Sequence, residues 1–268
     1  VDIAVEEQAS SLTFLHLLKA IILQPLHEVS RFLEFKDSQR PELLWETTIN
    51  RFVEKFKQTR LALAMTDMEG SMSIKRRYGD QESAKIFRAH DKLLCKHLAE
   101  CKEARVIDAV GDSMLLAFSS EVDAVLFALI VQSSLRTHTY LAQIPIKVRI
   151  GIYSGQILSR DILQSRDSSR PIFGITIDTT SRITSLARGN QILTDNRIYK
   201  KASGEISAHP PPELEQLEWR SYGQYFLKGL DNPIEIFEVG EVGKAEFIKP
   251  RDSRKASSSP FDSRRAYH

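Results

Sequence analysis

Leu61-Ala-Leu-Ala-Met-Thr66-Asp67-Met68-Glu69-Gly70-Ser71 opens on an unbroken apolar run and ends on an acid just before a glycine. A short apolar run closed by a turn signal reads as a buried strand. A second acid lies in Val106-Ile-Asp-Ala-Val-Gly111-Asp112-Ser-Met-Leu-Leu-Ala-Phe118. There Arg105–Ala109 and Ser113–Phe118 read as two strands joined by a turn at Gly111-Asp112. Asp67 is thereby expected at a strand end and Asp112 at a hairpin tip. In adjacent strands, carboxylates about 4 Å apart repel by roughly 4 kcal/mol at an effective dielectric of about 20. Divalent magnesium or manganese, shared with substrate phosphates, is the usual compensating cation. On the spacing alone, two ordinary turn-forming aspartates are the readier reading.

Around this pair the pattern alternates between helix and strand. Tyr78 to Cys101 and Val122 to His138 read as helices, the second with Val122, Val125, Leu126, Leu129 and Ile130 on one face. Ile146 to Ile152 reads as a strand, Ile162 to Arg170 as a polar loop, and Thr176 to Arg188 as a helix. Gln191–Thr194, Tyr222–Lys228 and Ile234–Val239 read as further strands, the last two flanking a Gly229–Pro233 turn. Short strands with helices between them predict an α+β fold, a mixed or antiparallel sheet with covering helices.

Upstream, Leu12, Phe14, Leu15, Leu17, Leu18, Ile21, Ile22 and Leu26 recur at near-helical spacing. Asp37 to Pro41 is a break, after which Leu43, Leu44, Ile49, Phe52, Val53 and Phe56 predict a second amphipathic helix. The expected organisation is a helical segment over 1–58, a domain over 59–242, and a disordered basic, Ser-rich tail over 243–268.

Composition narrows the function classes. Of 268 residues, 37 are Lys or Arg and 35 are Asp or Glu, a net charge of +2, so no basic surface argues for nucleic acid. Cys95 and Cys101 lie six apart on a predicted helix and face different ways, which fits a reduced, cytoplasmic protein. The early apolar run from Leu12 to Leu26 is interrupted by His16, Lys19 and Pro25 and is shorter than the ~20 residues a span needs. Membrane association is expected only through a segment upstream of Val1.

Taken in order, the motifs over about residues 60–240 resemble those of the class III adenylyl/guanylyl (nucleotidyl) cyclase catalytic domain. Ala64-Met-Thr-Asp67-Met-Glu-Gly-Ser71 is similar to the family's first signature and Val106–Phe118 to its hairpin. Val148–Gly155 resembles the next strand, and Phe173–Ile183 the motif carrying a catalytic Asn and Arg. Gln191–Thr194 and Phe226–Leu230 resemble the closing strands. The resemblance implies a ferredoxin-like cyclase fold and a homodimer with active sites at its interface. It also implies conversion of a nucleoside triphosphate, ATP or GTP, to a 3′,5′-cyclic nucleotide and pyrophosphate in a signalling role. By the same resemblance Asp67, Asp112 and the Met68 carbonyl hold two Mg²⁺ or Mn²⁺, one acting on the ribose 3′-hydroxyl and one on the triphosphate. Arg182 is matched to the charge developing on the α-phosphate, and Arg149 and Lys228 to the β- and γ-phosphates.

Three positions depart from the family pattern. Asp108 stands where adenylyl cyclases usually have a base-reading Lys, and Pro171 where they have its Asp or Thr partner. A carboxylate accepts hydrogen bonds from guanine N1–H and N2–H₂, or from uracil N3–H, but cannot donate to adenine N1, and proline reads nothing. Asp178 stands where the family has the ribose-orienting Asn, adding negative charge near the triphosphate. These departures sustain an alternative, a degenerate cyclase-homology domain acting as a nucleotide-binding regulatory module; a pyrimidine-specific cyclase is a lesser variant.

Overall fold

A computed structural model describes residues 60–157 and 174–261. The two helices expected upstream, the loop expected at 162–170 and Pro171 lie outside the described residues. The chain runs β1 (Arg60–Glu69), α1 (Ser71–Glu100), β2 (Ala104–Val110), β3 (Ser113–Phe118), α2 (Glu121–Thr137), β4 (Lys147–Gln156), α3 (Ile175–Leu186), β5 (Ile192–Asp195), α4 (Asn196–Ala208), β6 (Leu217–Leu227), β7 (Ile234–Glu241) and β8 (Ala256–Ser257). Among the described residues the strands form one mixed sheet in the order β2-β3-β1-β4-β5-β7-β6-β8. Only the β4–β5 pairing is parallel; every other neighbour is antiparallel. This is the α+β architecture the sequence predicts.

β1 is central, and its unbroken apolar run follows from burial on both faces. Ala62, Ala64 and Met68 enter the main core, with Ile86 and Leu94 of α1, Val125 and Leu129 of α2, and Ile198 and Ala202 of α4. Leu61 and Leu63 face the other way, against Ile107, Leu115, Ala117 and Ile177 of α3. Three helices therefore cover one face and α3 the other. α3 lies directly on β4: a Cβ added at Gly151 would fall 2.5 Å from the Thr184 backbone nitrogen. Glycine is needed there for close approach, with no special backbone angle involved.

Several boundaries differ from expectation. α1 starts at Ser71 rather than Tyr78 and breaks at Gly79 (φ 74°, ψ 170°); its first turns are polar and carry no apolar period. α4 was not expected, since only Ile198, Ala202 and Ile206 are buried along its Lys- and Ser-rich surface. The expected disorder from 243 onward is corrected over 243–261. β8 pairs with Phe226 and Leu227 of β6, and Ala256 is fully buried beside Ile183, Leu186 and Tyr225. The segment is held chiefly by backbone hydrogen bonds, which composition does not report. Neither Cys95 nor Cys101 forms a disulfide among the described residues, and burial pushes the Cys101 thiol up to about 12. No helix among the described residues is long and apolar enough to cross a membrane.

Candidate active site

Register brings the first group together. Asp67 of β1 is paired with Arg149 of β4, so both side chains project from the α3 face of the sheet. The Arg149 Nε donates to Asp67 Oδ2 at 2.6 Å, and Nη2 reaches the same oxygen at 2.5 Å. Ser113 Oγ donates to Asp67 Oδ1 at 2.6 Å. Ser113 follows Asp112 at the β2–β3 hairpin tip, where Gly111 takes the left-handed conformation (φ 65°). The hydroxyl thus ties the loop carrying Asp112 to the strand end carrying Asp67.

Ladder pairing between β1 and β3 stops at Thr66, whereas pairing with β4 continues to Glu69. Past Thr66 the β1 backbone is flanked by a strand on the β4 side alone. Met68 keeps its side chain in the core, leaving its carbonyl as the group matched to a metal. The donor set fits a hard divalent cation in a limited way. Asp67 already holds a cationic group at Oδ2, and Asp112 is half-buried at the adjoining tip. Among the described residues no cluster of three or more His, Cys, Asp or Glu forms a dedicated metal cage. Two carboxylates and a carbonyl suit Mg²⁺ or Mn²⁺ that keeps water and takes substrate phosphate as its remaining ligands.

A second group forms around α3. Arg182 Nη2 approaches Asp178 Oδ2 at 3.5 Å, one helical turn apart. The same guanidinium lies against the β6–β7 turn, since a Cβ at Gly229 would be 3.7 Å from Nη2. Lys228, the neighbour of Gly229, is exposed. Among the described residues no hydrogen bond or ion pair joins this group to Asp67, Asp112 or Arg149. Within one chain the expected residues therefore fall into two half-sets, one at β1/β4 and the β2–β3 tip, the other at α3 and the end of β6.

Asp108 lies in β2, next to a bulge after Val106, with its side chain on the same face as Leu115 and Met65. Burial pushes its carboxyl above the usual range, against the opposing pull of the Ala109 N–H, which donates to Oδ1 at 2.8 Å. Sequence reasoning missed Ser113, whose place immediately after Gly111-Asp112 was the available signal. It also missed the contacts of Glu69, which depend on the far end of the chain. Glu69 Oε2 accepts from Gly189 N at 2.9 Å and Oε1 from Arg251 Nη1 at 3.0 Å.

Comparison with known proteins gives the class. The profile of the adenylate and guanylate cyclase catalytic domain matches residues 53–239. The chain belongs to the class III nucleotidyl cyclase family. It is 31% identical over 150 residues to the uncharacterized protein Rv0891c of Mycobacterium tuberculosis, covering 56% of this chain and 44% of that protein. It is 24% identical over 186 residues to an adenylate cyclase of Streptomyces coelicolor, covering 69% of this chain and 45% of that one. The chain thus spans under half the length of these relatives. In fold it is similar to a Trypanosoma brucei adenylate cyclase solved in its monomeric state, with a TM-score of 0.56 and 19% identity over 76% of this chain and 95% of that one.

Proposed function

We propose that this chain is a metal-dependent nucleotidyl cyclase that converts ATP or GTP to a 3′,5′-cyclic nucleotide and pyrophosphate. The observation that carries the reading is Asp67, fixed at a strand end between the Ser113 hydroxyl and the Arg149 guanidinium. An acid so held, with a phosphate-binding cation as its immediate neighbour, suits a triphosphate whose charge is shared between metal and arginine. When bound, the divalent cations lower the pKa of the ribose 3′-hydroxyl and offset triphosphate charge.

The 3′-oxygen attacks the α-phosphorus, the bond to the bridging oxygen of pyrophosphate breaks, and the hydroxyl proton passes to solvent or phosphate. Asp67, Asp112 and the Met68 carbonyl are the groups that would hold the cations. Arg149 turns from Asp67 to the β- and γ-phosphates, with Lys228 as the second, more mobile contact. Arg182 neutralises charge growing on the α-phosphate, a task suited to a permanently charged fork. Asp178 borders the ribose and holds Arg182 in place until phosphate competes for it. Asp108 borders the base, while Pro171 contributes no polar group to it.

The division into two half-sets supports a homodimer in which each site takes one half from each subunit. Val110, 69% exposed at the hairpin, and Ile175, 74% exposed at the start of α3, supply apolar surface beside the two half-sets. A nucleoside triphosphate substrate would make the cytoplasm its place of work and the product a signalling nucleotide. A second reading, a nucleotide-binding regulatory module, is favoured by the Asp178–Arg182 pair, which engages the arginine that catalysis needs.

Incubation of the purified chain with Mn²⁺ or Mg²⁺ and each of the four nucleoside triphosphates, scoring cyclic product and pyrophosphate, separates the readings. Product from one or more bases, lost in Asp67→Ala, is the expected result. Nucleotide binding without product from any base would establish the regulatory module instead.

A further inference from the structure

Three of the elements that carry candidate site residues, α3, the end of β6 and β1, meet at one segment, residues 248–257. At α3 its Arg251 N–H donates to the Leu186 carbonyl at 2.9 Å, and the Ser253 and Ser185 hydroxyls share a hydrogen bond of 2.9 Å. At the end of β6 the Lys228 N–H donates to the Lys255 carbonyl at 2.9 Å, and Ala256 pairs with Leu227. At β1 the Arg251 guanidinium reaches Glu69. Only the last contact is made by charged side chains alone.

Glu69 is engaged at both oxygens, one by Arg251 and one by the Gly189 N–H in the loop after α3. That loop is pressed against it, since a Cβ at Gly189 would fall 2.6 Å from Glu69 Oε2 and 2.5 Å from Lys147 Cβ. Glu69 and Asp67 lie two apart on β1 and share a face. Beyond Thr66 the ladder with β3 has ended, so the stretch from Asp67 to Glu69 is held by β4, by the Ser113 hydroxyl on Asp67 and by this side-chain clamp.

We propose that the segment 248–257 is a positioning strap for the candidate site, and that Arg251 is a positioning residue that fixes the Asp67–Met68 strand end through Glu69. The inference rests on the metal-site reading of Asp67. Arg251 and Glu69 are 36% and 33% exposed in their side chains, so their attraction is screened and adds little to global stability. Orientation of a ligand is a different matter. Groups that hold metal ligands in place typically change metal affinity by about 10–100-fold when removed.

The test uses the full chain, with free Mn²⁺ followed by electron paramagnetic resonance and the unfolding midpoint measured separately in EDTA. Arg251→Ala and Glu69→Gln are each expected to weaken Mn²⁺ binding by about tenfold with near wild-type midpoints. The double variant should be no weaker than either single one, because the two act as a unit. Arg251→Lys should recover most of the affinity, since one donor to Glu69 suffices. Wild-type Mn²⁺ affinity in both Arg251→Ala and Glu69→Gln would overturn the proposal while leaving the metal site standing. A loss that Arg251→Lys does not restore, or that follows a fallen midpoint, would assign Arg251 to packing and overturn it too. A wild-type chain that binds no Mn²⁺ would overturn the metal-site reading itself, and the strap's role with it.

Discussion

Replacing Arg149 with Met should make the protein less stable without metal, yet a better ligand for Mn²⁺. Arg149 gives two nitrogens to one oxygen of Asp67, at 2.6 and 2.5 Å, and the side chains are 21% and 20% exposed. Fully exposed pairs contribute about 0–1 kcal/mol, and breaking a buried one costs about 3–5. A pair shielded to this degree falls between, at about 2 kcal/mol. For a domain of this size that corresponds to a midpoint lower by roughly 4–8 °C in EDTA. The same free energy opposes a metal that must share or displace the guanidinium. Its removal should therefore tighten Mn²⁺ binding about twenty- to thirtyfold, at 1.4 kcal/mol per factor of ten. Mn²⁺ would then raise the midpoint of Arg149→Met more than that of wild type at equal concentration. Nucleotide binding should move the other way, because a triphosphate contact is lost. Thermal unfolding against Mn²⁺ concentration, with and without triphosphate, reads all three effects. Equal Mn²⁺ shifts in the two proteins would refute the idea that Arg149 and metal compete for Asp67.

Gly151→Ala should cost at least about 1–3 kcal/mol, measured by urea unfolding, because the new Cβ meets the Thr184 backbone as well as its hydroxyl, and the backbone cannot turn aside. Asp108→Asn should raise the unfolding midpoint at neutral pH and lose that advantage in acid. Burial raises the folded-state pKa of Asp108, so its contribution is fully present below the unfolded value and is lost as pH rises through the folded one. A midpoint gap unchanged between about pH 4 and 8 would contradict this. If the chain is a cyclase, Arg182→Ala should lower kcat on the order of a hundredfold with a smaller rise in KM, since its partner charge develops in the transition state.

The sheet was legible because apolar runs and turn glycines report directly on burial and chain reversal. Leu61–Met65 was read as a buried strand and lies between two cores; Gly111-Asp112 was read as a tip and is one. What sequence could not supply was register. The Asp67–Arg149 contact depends on which residue of β4 faces which residue of β1, and Ser113 matters for the same reason. α4 was legible and was passed over: Ile198, Ala202 and Ile206 recur every four residues, but the helix is polar on the whole and opens directly at the end of β5. The strap was missed because most of its anchors are its own carbonyls and N–H groups, with Pro250 and Ala256 its buried residues, and its Arg- and Ser-rich letters look like those of an unfolded tail. Asp67 and Asp112 could be singled out as acids at strand and hairpin ends, but the expectation that they face phosphate came from ordered motifs and not from spacing.

β8 has a further consequence, for where the domain can be cut. It pairs with β6 at Phe226 and Leu227, closing part of what would otherwise be an open sheet edge. A chain ended just past the family match at residue 239, or after β7, would bare those backbone groups and the Lys228 N–H beside the hollow left by Ala256. Unpaired strand edges recruit other strands. Such a shortened protein should form soluble oligomers or precipitate where the longer chain stays dispersed, and two extra residues of sheet then decide its colloidal behaviour.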